Sequence, residues 1–233
     1  VSGDYKTQAD RLTTPFEPVR CHSFVTECTF GLPVFKWAEE SQVAAEINAW
    51  WAANAAAGRF SLLGAYALGK AQRVLALLDP ATAPILTHGA VENTNAVLRG
   101  QGLALPATTR VTPDLKAADH PGALVLAPPS ALASNWARRF RPASTAMASG
   151  WTRLRGVRRR RGVDRGFVIS DHADWDGLNA AIRATGAESI YATHGYTDIF
   201  ARWLTDQGLD ARVVATEFTG ESVDEDDAGA VEA

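Results

Sequence analysis

The sequence is poor in several features that would fix its class at once. Its 233 residues include only two cysteines, Cys21 and Cys28, with six residues between them. Two thiols are too few for a disulfide framework, and they lack the C-x-x-C spacing of a structural zinc site. They read as reduced thiols of a cytoplasmic protein. No apolar run approaches the ~18 residues that span a bilayer, and no charged leader with an apolar stretch behind it marks secretion. A membrane partner is therefore not expected. Internal repeats and long low-complexity segments are also missing. The chain starts at Val1 rather than at methionine, which suggests a fragment.

What is present is a globular composition, 46% hydrophobic and 21% charged, in a chain near the border between one large domain and two. The net charge of −3 hides an asymmetry. Between Arg138 and Arg165 there are ten arginines against one acid, Asp164, whereas Glu221 to Ala233 holds six acids and no base. The acidic tail has no apolar pattern and is expected to be disordered. The arginines are read as a pair of strands over WTRLRGVRRRRGVDRGFVIS, with alternate side chains on one face. Such a stripe could grip a polyanion through charge and forked hydrogen bonds, or could simply keep an exposed hairpin soluble.

Along the chain, a strand is expected over about Val19 to Thr26, ending in Glu27. A helix from about Trp37 to Ala57 would bury Val43, Ile47, Trp50 and Trp51. RFSLLGAY, PILTHG and GALVLAPPSAL read as strands, with helices in LGKAQRVLALLD and VENTNAVLRGQG. Alternation of this kind implies a parallel or mixed α/β layer structure. Gly64 to Lys70 spells G-x-x-x-x-G-K, but Ala71 stands where a phosphate-binding loop needs a hydroxyl. Lys70 is better placed at the start of an amphipathic helix.

Two histidines draw most attention. VISDHADW delivers His172 and YATHGYT delivers His194, each read as a strand that ends in a histidine, with an amphipathic helix between. Parallel neighbouring strands would bring both residues to one site although 22 positions separate them. Each could equally be a hydrogen-bonded structural residue. Asp4, in VSGDYK, could be a metal ligand, a helix cap or a turn former.

GDYK, TECTFG, AYALGKAQ, ASGW, SDHADW and THGYT occur here in the order found in β-CASP nucleases of the metallo-β-lactamase fold. The chain most resembles the bacterial ligase-associated DNA exonuclease family, itself similar to the nuclease subunit of the mRNA cleavage and polyadenylation machinery. The resemblance extends to about Thr219. It implies an α/β fold: the C-terminal part of a metallo-β-lactamase αββα domain in residues 1–40 and 156–220, an α/β β-CASP insert in 41–155, and a tail in 221–233. An active cleft would lie between the two domains. The resemblance also implies two divalent ions, zinc foremost and manganese as the alternative. Asp4 would bridge them and His194 would complete one shell. His172 would be the general acid and Glu27 the carboxylate that orients it. A carboxylate beside an imidazole favours the protonated form, which can donate. Lys6, Ser170, Arg158 and Arg160 would contact nucleic acid.

The family's H-x-H-x-D-H motif and its further histidine do not occur in this sequence; His22, His88 and His120 stand alone. Asp4 and His194 are then two ligands, where a catalytic zinc normally takes about three from protein. The expectation is that this chain alone binds metal weakly, has little or no nuclease activity and tends to self-associate. The function implied is hydrolysis of phosphodiester bonds in single-stranded DNA, in repair or processing, with a functional link to a DNA ligase. RNA processing and non-catalytic nucleic-acid binding are the alternatives.

Overall fold

A computed structural model of the chain describes residues 1–214. The acidic tail and the last residues of the 156–220 segment lie outside the described residues. The chain divides into two compact units, Val1–Trp37 with Ser170–Ala233, and Ala38–Ile169. The inserted unit is thus longer than 41–155, and the reason is visible in the sheet. β7 (Arg165–Phe167) pairs in parallel with β6 (Ala143–Ala148) and buries Phe167 against Trp50. That strand, expected to carry His172, belongs to the insert. Residue 170 begins the return.

In the first unit, β1 (Ser23–Cys28), β8 (Ser189–Gly195) and β9 (Asp210–Val213) form one parallel sheet in the order β1-β8-β9. Two helices, α6 (Trp175–Thr185) and α7 (Thr197–Asp206), pack with it. Leu178 and Ile182 from α6 and Phe200 and Leu204 from α7 meet Phe24, Ile190 and Ala192 of the strands. The spacing of these residues at three to four positions on each helix and two on the strand is what lets one apolar stripe face another. Asp174 caps α6 by accepting from Gly177 N at 2.8 Å, and Gly186, at φ +62°, ends it. Trp203 ties the helices together, its indole N–H donating to Asn179 at 3.1 Å. An αββα domain needs two sheets, and the described residues of this unit form one. The shared ground with the expectation is an α/β unit with a parallel sheet.

The inserted unit is a doubly covered open sheet. Its six strands are β2 (Phe60–Gly64), β3 (Ile85–Thr87), β4 (Thr109–Arg110), β5 (Leu124–Ala127), β6 and β7. They run in the order β4-β3-β5-β2-β6-β7, every pair parallel. β5 is Leu-Val-Leu-Ala and buried throughout, as a central parallel strand with both faces covered must be. Leu124 and Leu126 point into one cluster with α1 (Glu40–Ala56), α2 (Lys70–Leu77) and Val91 of α3 (Gly89–Gly100). Val125 points into the other, with Phe140, Ala137 and Val111. α1 buries Val43, Ile47, Trp50 and Trp51, as its periodicity demands.

The arginine-rich segment differs from its expectation. Arg155–Arg160 is a short helix, α5, rather than half of a hairpin. Val157 is its one buried residue, arginine is a good helix former, and Gly162 at φ +60° stops the turn. Around a helical turn the arginines fan out instead of alternating on one face. Arg160 is exposed. The Arg158 stem packs over Gly166, where a Cβ would come within 2.6 Å of it.

Candidate metal and acid–base site

The candidate site grows from the C-terminal end of β1. Glu27, the fifth residue of that strand, is fully buried. A buried carboxylate is tolerated only with donors around it, and Glu27 has three. Its Oε1 faces His172 Nδ1 at 3.0 Å and, at a long 3.4 Å, receives Tyr5 N; its Oε2 receives Thr29 N at 3.0 Å. His172 is 4% exposed. Asp4 completes the group, its Oδ1 3.9 Å from His172 Nδ1 and its side chain 67% exposed. One ligand atom from each of Asp4, Glu27 and His172 lies within 4.8 Å of the other two.

The loop bearing His172 is held from several sides, which sets the ring's direction. Ser170 Oγ accepts from His172 N at 3.1 Å, a local turn. Trp37 Nε1 donates to the His172 carbonyl at 3.1 Å, and Trp37 N donates to Asp174 at 2.9 Å. Ala173 N donates to the Tyr5 carbonyl at 2.6 Å, which ties the loop to the segment carrying Asp4. Phe30 meets the imidazole edge-on at 5.7 Å and also contacts Phe35 and Trp37. The Tyr5 phenol donates to or accepts from Thr26 at 2.8 Å. Burial raises its pKa well above the usual value, the Thr26 hydrogen bond opposes that, and the charges of Glu27 and Cys28 add to it.

His172 therefore does not sit at the end of a strand beside His194. The residues that share neighbouring parallel strand ends are Glu27 on β1 and His194 on β8. Their register contains a bulge: Glu27 pairs with Thr193, but Cys28 pairs with Gly195, leaving His194 as the extra residue. His194 has φ +54° and Gly195 φ +94°. A non-glycine residue in the left-handed region is strained and is found where surrounding structure imposes it. Gly195 cannot be replaced without displacing backbone, because its Cβ would meet Cys28 O and Thr29 Cα at 2.4 Å. The Cys28 thiol donates to the His194 carbonyl at 3.1 Å, and burial, then the charges of Glu27 and Asp198, push its pKa up to about 12. It serves as a hydrogen-bond donor rather than a nucleophile.

With both Glu27 oxygens accepting hydrogen bonds and Nδ1 of His172 turned to Glu27, these two residues are engaged with each other. Asp4, the exposed carboxylate, is the group in the triad best placed to meet a cation. Lys6, expected at nucleic acid, pairs with Asp10 and has a side chain only 8% exposed. Ser170 is buried and spends its hydroxyl on the loop. Sequence reasoning did not single out Trp37, Phe30 or Asp174, although FGLPVFKW, a dense aromatic stretch right after Glu27, is the signal that could have found the first two.

No protein family profile matches the chain. It is 28% identical over 216 residues to a probable DNA ligase of Opitutus terrae. That match takes in 93% of this chain and 21% of the ligase, so the chain spans about a fifth of its relative's length. No helix among the described residues is long and apolar enough to cross a membrane.

Proposed function

We propose that Asp4, Glu27, His172 and His194 form part of a metal-dependent phosphodiesterase site that acts on DNA, of the β-CASP metallo-β-lactamase kind. The observation that carries this reading is the buried Glu27–His172 pair at 3.0 Å with an exposed aspartate 3.9 Å from the same imidazole. Buried acid–base pairs beside a free carboxylate are the arrangement expected where protons move and cations are held. The relative named as a DNA ligase favours DNA over RNA as the substrate.

The residues present fit part of a metal centre. Asp4 would hold the ions jointly with His194, and the remaining ligands would come from outside these residues. When bound, a pair of divalent ions, zinc or manganese, lowers the pKa of a coordinated water and offsets charge on the attacked phosphate. The chain's own residues do the rest. Glu27 accepts from His172 Nδ1 and so fixes that nitrogen as the protonated one. The proton that moves is then carried at Nε2, where it can pass to the departing oxygen of the cleaved ester. Phe30 and Trp37 shield the imidazole, and with it the hydrogen bond to Glu27, from water.

The test is release of label from end-labelled single-stranded DNA and RNA, with zinc or manganese added. Cleavage that disappears in both His172→Ala and Asp4→Asn supports the reading. Salt-sensitive strand binding without cleavage, equal in wild type and both variants, would instead favour a non-catalytic nucleic-acid-binding role, in which contacts to phosphate dominate.

A further inference from the structure

The inserted unit holds a crevice of about 290 Å³, lined by His88, Gly89, Arg110, Thr112, Trp136 and Arg139 among others. Its place in the fold is informative. β3 and β5 are neighbours, but the chain leaves β3 toward β4 at one edge and leaves β5 toward β6 on the other side. The two connections cover opposite faces: Val91 of α3 joins one core cluster, and Ala137 joins the other. Adjacent parallel strands whose exits diverge leave a cleft at their C-terminal ends, which is where open α/β sheets bind ligands. His88 N donates to the Leu126 carbonyl and Val111 N to the Thr87 carbonyl, both at 2.9 Å, so the lining loops are anchored on the strand ends.

The side chains define what such a cleft would take. Arg110 donates to Asn93 at 2.7 Å and Arg139 to the Thr112 carbonyl at 2.9 Å. Both partners are neutral, and neither guanidinium meets a carboxylate among the described residues. Each bond fixes one nitrogen and leaves the rest of the fork for a ligand. His88 Nδ1 accepts from Ala90 N at 3.1 Å, which places its proton on Nε2. Burial, and then the charge of Arg110, lower the pKa of His88. Gly89 permits the close approach of Arg110: a Cβ there would sit 3.0 Å from one guanidinium nitrogen. Trp136 is half-buried and held edge-on by His88 at 4.9 Å and Phe140 at 5.4 Å.

We propose that this crevice is a nucleotide-binding site, in which Arg110, Arg139 and His88 Nε2–H hold a phosphate and Trp136 supports the base. Paired guanidinium forks match phosphate oxygens, and an indole face accepts any base by stacking. The volume is close to the lower bound for small-ligand pockets, about 300 Å³, and suits one nucleotide unit. The site lies wholly within the inserted unit and does not rest on the metal-dependent reading above.

The test uses the whole chain in EDTA, which removes any contribution from bound metal. Calorimetric titrations compare dAMP, deoxyadenosine and inorganic phosphate, together with dA4 with and without a 5′-phosphate. The expected result is that dAMP binds and deoxyadenosine binds at least about tenfold more weakly, since charged hydrogen bonds are lost. Arg110→Gln should weaken dAMP about tenfold or more. Gly89→Ala, which shifts the same guanidinium with little cost to the fold, should weaken it several-fold. Trp136→Leu should weaken dAMP but leave inorganic phosphate unchanged. Tighter binding of 5′-phosphorylated dA4 than of dAMP assigns the site to strand ends, and the reverse assigns it to free nucleotides. Equal binding of dAMP and deoxyadenosine, or no binding, overturns the proposal. So does wild-type affinity in both Arg110→Gln and Gly89→Ala with unchanged circular dichroism.

Discussion

Replacing Glu27 separates its structural work from its orienting work. In Glu27→Ala, His172 Nδ1–H and Thr29 N–H lose partners that stand at 3.0 Å, in a place with no solvent access. Each orphaned buried donor costs about 1–3 kcal/mol, so the two together cost about 2–6 kcal/mol. At roughly 2–4 °C per kcal/mol for a chain of this size, the melting midpoint should fall by about 10 °C. Glu27→Gln keeps the shape. Its amide oxygen can still accept from Thr29 N, which turns the NH2 toward His172 Nδ1 at the loss of the long 3.4 Å bond from Tyr5 N. The imidazole must then present a lone pair at Nδ1 and move its proton to Nε2. The cost should be only about 1 kcal/mol, while the tautomer changes. Long-range proton–nitrogen correlation spectra in EDTA read this directly, with the His172→Ala spectrum assigning the signal among five histidines. A Glu27→Ala midpoint within about 2 °C of wild type, or a Glu27→Gln spectrum with the wild-type His172 tautomer, would refute the reasoning.

Three other outcomes are expected. Gly195→Ala should cost about 2–4 kcal/mol in a urea titration, because a Cβ at φ +94° would overlap the backbone of Cys28 and Thr29; an unchanged midpoint would show that the bulge relaxes freely. Asp10 loses solvation through burial, but the hydrogen bonds from Lys6, Leu12 N and Thr13 N outweigh that and hold its pKa at about 2. Because the folded value is depressed below about 3.9, its contribution is present above pH 4 and is lost as pH falls toward 2. Wild type and Asp10→Asn should therefore differ by on the order of 1 kcal/mol at pH 6 and converge near pH 2, and a difference independent of pH would contradict the assignment. In the insert, Glu92 accepts from Thr87 and Thr108, each at 2.7 Å, from Asn95 at 3.1 Å and from Arg99 at 2.8 Å. Glu92→Ala should cost about 2–4 kcal/mol by thermal melting, and a loss below about 0.5 kcal/mol would mean water replaces the carboxylate.

The inserted unit was the most legible part of the fold because its strands are buried on both faces and its helices carry regular apolar spacing. Val43, Ile47, Trp50 and Trp51 recur at helical period, and GALVLA is too apolar for any place but a central strand. The arginine segment is a helix rather than a hairpin, and its sequence is ambiguous for a physical reason. Strand and helix differ there by one buried residue, Val157, and a run of identical charged side chains has no periodicity to read. The same ambiguity bears on the second boundary of the insert, since GFVI looks like the start of a new unit until β7 is seen to pair with β6.

The candidate site was legible as a set of residue types but not as a geometry. His172 and His194 stood out because each lies in a short polar cluster at the end of an apolar run, and Glu27 because it closes a strand. A bulge, however, leaves almost no trace in sequence. One residue more on β8 than on β1 turns His194 out of the pleat and forces a left-handed backbone on it, with Gly195 needed next because Cys28 and Thr29 pass so close. The His172 loop is likewise set by distant partners, Trp37 across 135 positions and Glu27 across 145. Local pattern cannot encode such pairings. What it does encode is their raw material: an acid at a strand end, an aromatic cluster just beyond it, and a histidine before a capped helix. The left-handed backbone at His194 is thus the part of the candidate site that only the three-dimensional structure could reveal, and the next residue, Gly195, is the one whose Cβ the strand beside it has no room for.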